Sequence, residues 1–112
     1  MQAAAKPAFG TVLTENMAVA EFRDGRWQAH ELKPVAPIPL HPAAHVLHYG
    51  SECFEGFKAH RGKDGAISVF RMDRHIERMR QSARQLVLPE PDAAQLATMV
   101  REPCSSPDVV ND

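Results

Sequence analysis

Apolar and polar positions alternate between Met17 and Leu32, where MAVAEFR and WQAHEL flank the dipeptide Asp24-Gly25. Alternation with that dipeptide at its centre predicts an antiparallel hairpin closed by a tight turn. The next stretch, KPVAPIPLHP, carries four prolines. Proline removes a backbone donor and fixes φ, so this stretch is neither helix nor central strand. An extended crossing is expected there, anchored by Val35, Ile38 and Leu40. A second hairpin is expected from strands at 52–60 and 66–71 around RGKDG, with Asp64-Gly65 in its turn. The period then changes. Ile76, Met79, Ala83, Leu86 and Val87 recur at steps of three and four, the stripe of an amphipathic helix. Asp73 is placed to cap that helix, and Pro89 and Pro91 to end it. Asp92 is placed to cap a shorter one, DAAQLATMVRE, with Leu96, Met99 and Val100 along one side. The predicted class is α+β, an antiparallel sheet of hairpins packed with one or two helices. Residues 1–16 read as an irregular arm, 17–102 as the folded domain, and 103–112 as an irregular tail beginning at Pro103.

Each element leaves a polar face to explain. Side chains alternate across a strand, so Phe54, Gly56, Lys58 and His60 share one face while Cys53, Glu55, Phe57 and Ala59 share the other. The first set combines an aromatic wall, a position without a side chain and a cation. It suits either a site wall or an edge strand with Lys58 in water and Gly56 at a bulge. On the helix, Arg74, Arg78 and Gln85 fall opposite the apolar stripe. They make either a solvated face or a clamp for phosphate or carboxylate oxygens, to which guanidinium presents a planar fork of donors. Periodicity leaves both choices open.

Composition narrows the classes. With 112 residues, 44% of them hydrophobic and 24% charged, the chain is one small domain or part of a larger one. A net charge of −1 gives no general electrostatic case for nucleic acid or an anionic membrane. No stretch approaches the roughly 20 apolar residues of a membrane span, and the start MQAAAKPAFG lacks the apolar run of a secretory signal. Cys53 and Cys104 stand far apart without metal-type spacing, which suits a reducing compartment. A soluble cytoplasmic protein is expected. His41, His45 and His48 have helical spacing, but Pro42 interrupts them and no neighbouring carboxylate completes a ligand set, so no metal is expected. Phosphate-loop glycine motifs are absent, and nothing supports a nucleophile triad.

The order of short motifs says more. FG at 9–10, TENM at 14–17, GRW at 25–27, HPAAHVLHYG at 41–50, FEGFKAHRG at 54–62, VFR at 69–71 and SARQLVLP at 82–89 run in one colinear series. The series resembles the N-terminal region of branched-chain amino-acid aminotransferases, fold-type IV enzymes dependent on pyridoxal phosphate, over nearly all of residues 8–91. LHYG followed by FEG-x-K belongs to that branch; D-amino-acid aminotransferases and aminodeoxychorismate lyases share a looser form. Thr-Glu-Asn-Met replaces the common Thr-Asp-His-Met, and His60 stands where an aromatic residue is usual.

The resemblance implies roles for individual residues. Arg78 matches the arginine that binds the cofactor phosphate. Tyr49 matches a tyrosine lining the substrate pocket, which in some members reaches across a dimer. Phe54 matches an aromatic pocket wall, Gly56 a neighbouring glycine, and Lys58 a basic position beside the site. It implies transfer of an amino group between leucine, isoleucine or valine and 2-oxoglutarate, in a homodimer. The family's cofactor-linking lysine lies in a large C-terminal domain, and none of Lys6, Lys33, Lys58 and Lys63 matches it. No catalytic residue is therefore assigned, and a truncated or frame-disrupted product, inactive alone, is expected. Two alternatives stand beside it: a non-catalytic remnant that binds an anion or another chain, and a fragment of a D-amino-acid aminotransferase or lyase relative.

Overall fold

The structure, a computed structural model, describes residues 8–104. The remainder of the expected arm and tail, residues 1–7 and 105–112, lies outside the described residues. The first hairpin forms as two nested ladders. Strands β1 (Asn16–Val19) and β4 (Glu31–Pro34) pair antiparallel, with Met17 opposite Lys33 and Ala18 opposite Leu32. Inside them, β2 (Phe22–Arg23) pairs with β3 (Arg26–Trp27). Asp24 and Gly25 both take positive φ, 55° and 75°. Two successive left-handed residues match the twist of the flanking strands, which is why this dipeptide closes hairpins. Pro34 ends β4 opposite Asn16, in a two-stranded sheet where every strand is an edge.

Beyond β4 the crossing is less anchored than expected. Val35, Ile38 and Leu40 are all exposed, although Val35 N–H still donates to the Glu15 carbonyl at 2.9 Å. A short helix, α1 (His45–Tyr49), follows and stops at Gly50 in the left-handed conformation. Its five residues were not foreseen, since Pro42 argued against a helix containing all three histidines. The helix begins only after that proline.

The second hairpin is shorter than its alternation predicts. Only β5 (Ala59–Arg61) and β6 (Ile67–Val69) pair, so residues 52–58 are not part of a ladder. Their alternation survives without pairing except at Phe57, which is exposed although it falls on the inward phase. Cys53 and Glu55 are half-buried and Ala59 is buried, while Phe54, Gly56, Lys58 and His60 are exposed. The turn is held by Ala66 N–H donating to Asp64 Oδ1 at 3.0 Å and by Gly62 N–H donating to the Ala66 carbonyl at 2.7 Å.

Helix α2 (Met72–Gln85) buries Ile76 and Ala83. It starts earlier than expected. Arg71, at φ 53°, occupies the cap position without a side-chain cap, and Asp73 falls in the first turn, where its charge suits the positive end of the helix. It also stops four residues before Pro89. Leu88 N–H donates to the Ala83 carbonyl and Val87 N–H to the Arg84 carbonyl, with Val87 at φ 56°. That pair of bonds is a Schellman stop. It turns Leu86 and Val87 outward, so the last two positions of the predicted stripe are exposed.

Helix α3 (Ala93–Cys104) is capped as predicted, with Gln95 N–H donating to Asp92 Oδ2 at 2.8 Å. It carries Pro103 near its end rather than stopping before it. Lacking an N–H, the proline costs the helix one hydrogen bond. Helix α3 packs on α2, β1 and β4. The joint is tied by polar bonds as well as apolar contact. Trp27 Nε1 donates to the Glu90 carbonyl at 2.8 Å, and Gln95 Nε2 to the Gln28 carbonyl at 2.8 Å. A small hollow lined by Trp27, Met79, Leu96 and Met99 lies between the hairpin and the two helices. Small antiparallel sheets packed with helices make the predicted α+β class.

Candidate functional site

Glu55 stands on the inward side of the 51–59 segment, among Cys53, Phe57 and Ala59. A carboxylate there needs positive partners, because burying an unpaired charge is costly. Helix α2 supplies the Arg78 cation and, one turn before it, the His75 ring. His75 Nδ1 lies 2.8 Å from Glu55 Oε1, and Arg78 Nε lies 3.1 Å from Oε1 and 3.0 Å from Oε2. Arg78 Nη2 also donates to Oε1. Two nitrogens of one guanidinium meeting one carboxylate is the bidentate arrangement that makes such pairs directional. The Arg78 guanidinium first, and His75 second, hold the Glu55 carboxyl down to about 2. The same contact raises Arg78 above its already high value. Phe57 lies against the His75 ring at 5.3 Å and closes the inner side.

Beside this cluster lies a hollow of about 670 Å³ lined by Phe70, Arg71, Arg74, His75, Glu77, Arg78 and Gln81. Its basic lining follows from the polar face of α2. Glu77 is turned to other partners, Arg84 at 3.1 Å and Arg80 at 3.3 Å. Arg84 and, more weakly, Arg80 hold its carboxyl below the usual range. Arg71 and Arg74 have no ion-pair partner among the described residues. The hollow therefore presents cationic charge to solvent, the condition for attracting an anion.

The predicted pocket residues do not line that hollow. Tyr49, at the end of α1, is 77% exposed, with its ring against His45 at 5.1 Å. Phe54 is 89% exposed. Gly56 and Lys58 are exposed as well. A Cβ built on Gly56 would meet nothing within 4 Å, so within this chain the close approach expected at that glycine has no partner. Phe54 does not line the hollow that Arg78 lines, whereas its neighbour Glu55 holds the Arg78 guanidinium. What the fold assembles is Arg78 with His75 and Glu55, and the last two were not singled out as site residues. A signal for them existed: an acid on the inward phase of an alternating segment, and a His and an Arg three apart on one helix. Among the described residues, no three His, Cys, Asp or Glu side chains gather closely enough to hold a metal ion.

No family model matches the chain. Comparison with individual proteins is decisive. Over 90 residues, covering 79% of this chain, it is 47% identical to the branched-chain-amino-acid aminotransferase of Mycobacterium tuberculosis strain H37Rv. This chain belongs to the branched-chain amino-acid aminotransferase family. It is also 43% identical over 89 residues to the cytosolic enzyme of Mus musculus, and 40% identical over 93 residues to that of Saccharomyces cerevisiae. The match spans 24%, 23% and 25% of those three relatives, a small N-terminal part of each. Among the described residues, no helix of this family member is long and apolar enough to cross a membrane.

Proposed function

We propose that this chain forms the N-terminal part of a pyridoxal-phosphate-dependent branched-chain aminotransferase, acting in the cytoplasm in branched-chain amino-acid biosynthesis. The observation that carries the proposal is the 47% identity to a relative of that name. In this reading Arg78 binds the cofactor phosphate. The residues fit such a group: Arg78 lines a basic hollow, and its Nη1 makes no hydrogen bond among the described residues. When bound, the cofactor supplies an electron sink at the substrate Cα. Arg78 binds and orients it. Phe54, Gly56, Lys58 and Tyr49 form one wall of the substrate pocket, and their exposure here is the condition for a second lobe or a partner copy in a homodimer to cover them. An apolar wall of that kind selects branched aliphatic side chains by about 1–3 kcal/mol per methylene. The substrates are leucine, isoleucine or valine with 2-oxoglutarate. The cofactor-linking lysine has no match in this chain, so the 112 residues alone do not transaminate.

A chimaera tests this. The matched 90-residue segment of the M. tuberculosis aminotransferase is replaced by its counterpart here, and leucine–2-oxoglutarate transamination is assayed with added cofactor. The expected result is retained turnover, with Arg78→Ala raising the cofactor concentration required. A chimaera that folds and does not transaminate overturns the proposal, and sustained turnover by the 112-residue chain alone would show the catalytic lysine to be misplaced. A second reading, an anion-binding piece without catalysis, is favoured by the hollow itself, since Arg71, Arg74 and Arg78 are all present in the short chain.

A further inference from the structure

Arg78 and Glu55 form an unequal pair. The carboxylate side chain is 10% exposed and the arginine side chain 65%. The inner member is held from two directions, by His75 Nδ1 at 2.8 Å and by the guanidinium. Only the outer member reaches the hollow. Arginine offers five donors on a rigid plane, and Glu55 engages the edge made by Nε and Nη2. Nη1 is left, at the end of a side chain whose other edge is tied down. An exposed arginine without such a tether samples many rotamers, and ordering it on a ligand would cost affinity.

We propose that Glu55 is a positioning residue: it grips one edge of the Arg78 guanidinium so that the Nη1 end is preset toward an anion in the hollow formed with Arg71 and Arg74. The inference rests on the reading of Arg78 as the phosphate-binding arginine. A carboxylate near an anion site also repels the anion, so the sign of its effect is informative. Two features let positioning outweigh repulsion. Arg71 and Arg74 keep the hollow positive, and Glu55 lies behind Arg78, its carboxylate engaged by the guanidinium and by the His75 ring. Glu77, the acid that lines the hollow, is drawn off by Arg80 and Arg84. The low protonation range of Glu55 agrees with this geometry, keeping it charged wherever phosphate is ionised.

The test uses the 112-residue chain and inorganic phosphate, followed through arginine side-chain Nε–H signals by NMR. In the free chain the Arg78 Nε–H should exchange slowly with solvent and those of Arg71 and Arg74 rapidly. Phosphate should shift the Arg78 signal. Glu55→Gln should weaken phosphate binding about tenfold, the scale on which supporting residues act on ligand-binding groups, and Glu55→Asp should recover part of it. Equal or tighter binding by Glu55→Gln, in a chain where Arg78→Ala abolishes binding, overturns the positioning role and leaves the Arg78 reading intact. Phosphate that leaves the Arg78 signal unmoved overturns both. If the Gln variant does not fold, the unaltered chain decides: an Arg78 Nε–H that exchanges as fast as those of Arg71 and Arg74 sinks the proposal.

Discussion

At the scale of single residues, Glu55 concentrates the most physics. It sits on the half-buried side of an unpaired segment and is held by Arg78 and His75, on a helix twenty or more positions away. Its carboxyl titrates at about 2 instead of 4.5, so the folded chain binds fewer protons than the unfolded chain between those values. Stability from this contact is complete above about pH 5 and is lost as pH falls through the folded value near 2. The measurement is urea unfolding of the wild type and Glu55→Gln at a series of pH values. The wild type should be more stable near pH 6, and the gap should close progressively below pH 4.5. A gap independent of pH would show that the carboxylate charge contributes nothing. Glu55 was legible as a misfit, an acid where alternation calls for an apolar residue. His75 and Arg78 were legible as neighbours on a helix turn. That the three meet was not legible, because residues 52–58 lack the ladder that would have set their distance from α2.

At the scale of elements, starts and stops divide by mechanism. Asp92 caps α3 and Asp24-Gly25 closes the first hairpin through bonds spanning two or three residues, and both were readable. The stop of α2 was not. Proline at 89 suggested a later end, but a Schellman stop intervenes with Val87, a β-branched residue, at φ 56°. Left-handed backbone costs such a residue about 1–2 kcal/mol, and Val87 is 89% exposed, so its side chain repays little by packing. Val87→Gly should therefore raise the free energy of unfolding by about 1 kcal/mol. Denaturant titration checks it; an unchanged or lower midpoint would mean the strain is relieved otherwise. The outward turn also explains why Leu86 leaves the apolar stripe. The period of α2 was read correctly, and its length was not.

At the scale of the whole molecule, the apolar surface is unevenly spent. Among the described residues the buried hydrophobics are Ala59, Ile76 and Ala83, while Phe9, Phe54, Phe70 and Tyr49 are each more than three-quarters exposed. The Cα radius of gyration is 16.1 Å, against about 13 Å for a compact domain of this length. A core so thin should leave the isolated chain at or below about 5 kcal/mol, the low end for folded domains. Its exposed rings should bind a hydrophobic dye in the native state. Chemical unfolding with a dye titration measures both, and a stability well above that figure would show these surfaces to be better covered in solution than the fold suggests.

The sequence by itself determined the α+β class, the first hairpin, the capped start of α3, the amphipathic phase of α2 and the family. Each rests on interactions a few residues long or on a series of motifs read in order. Tertiary structure decided the rest: that β5 and β6 pair over only three residues, that Trp27 and Gln95 tie the hairpin to the Glu90 region and α3, and that Glu55 holds Arg78 and His75. The side-chain contacts among these join positions from 20 to 67 apart. Their energies depend on where separate elements come to rest, and no local pattern encodes that placement.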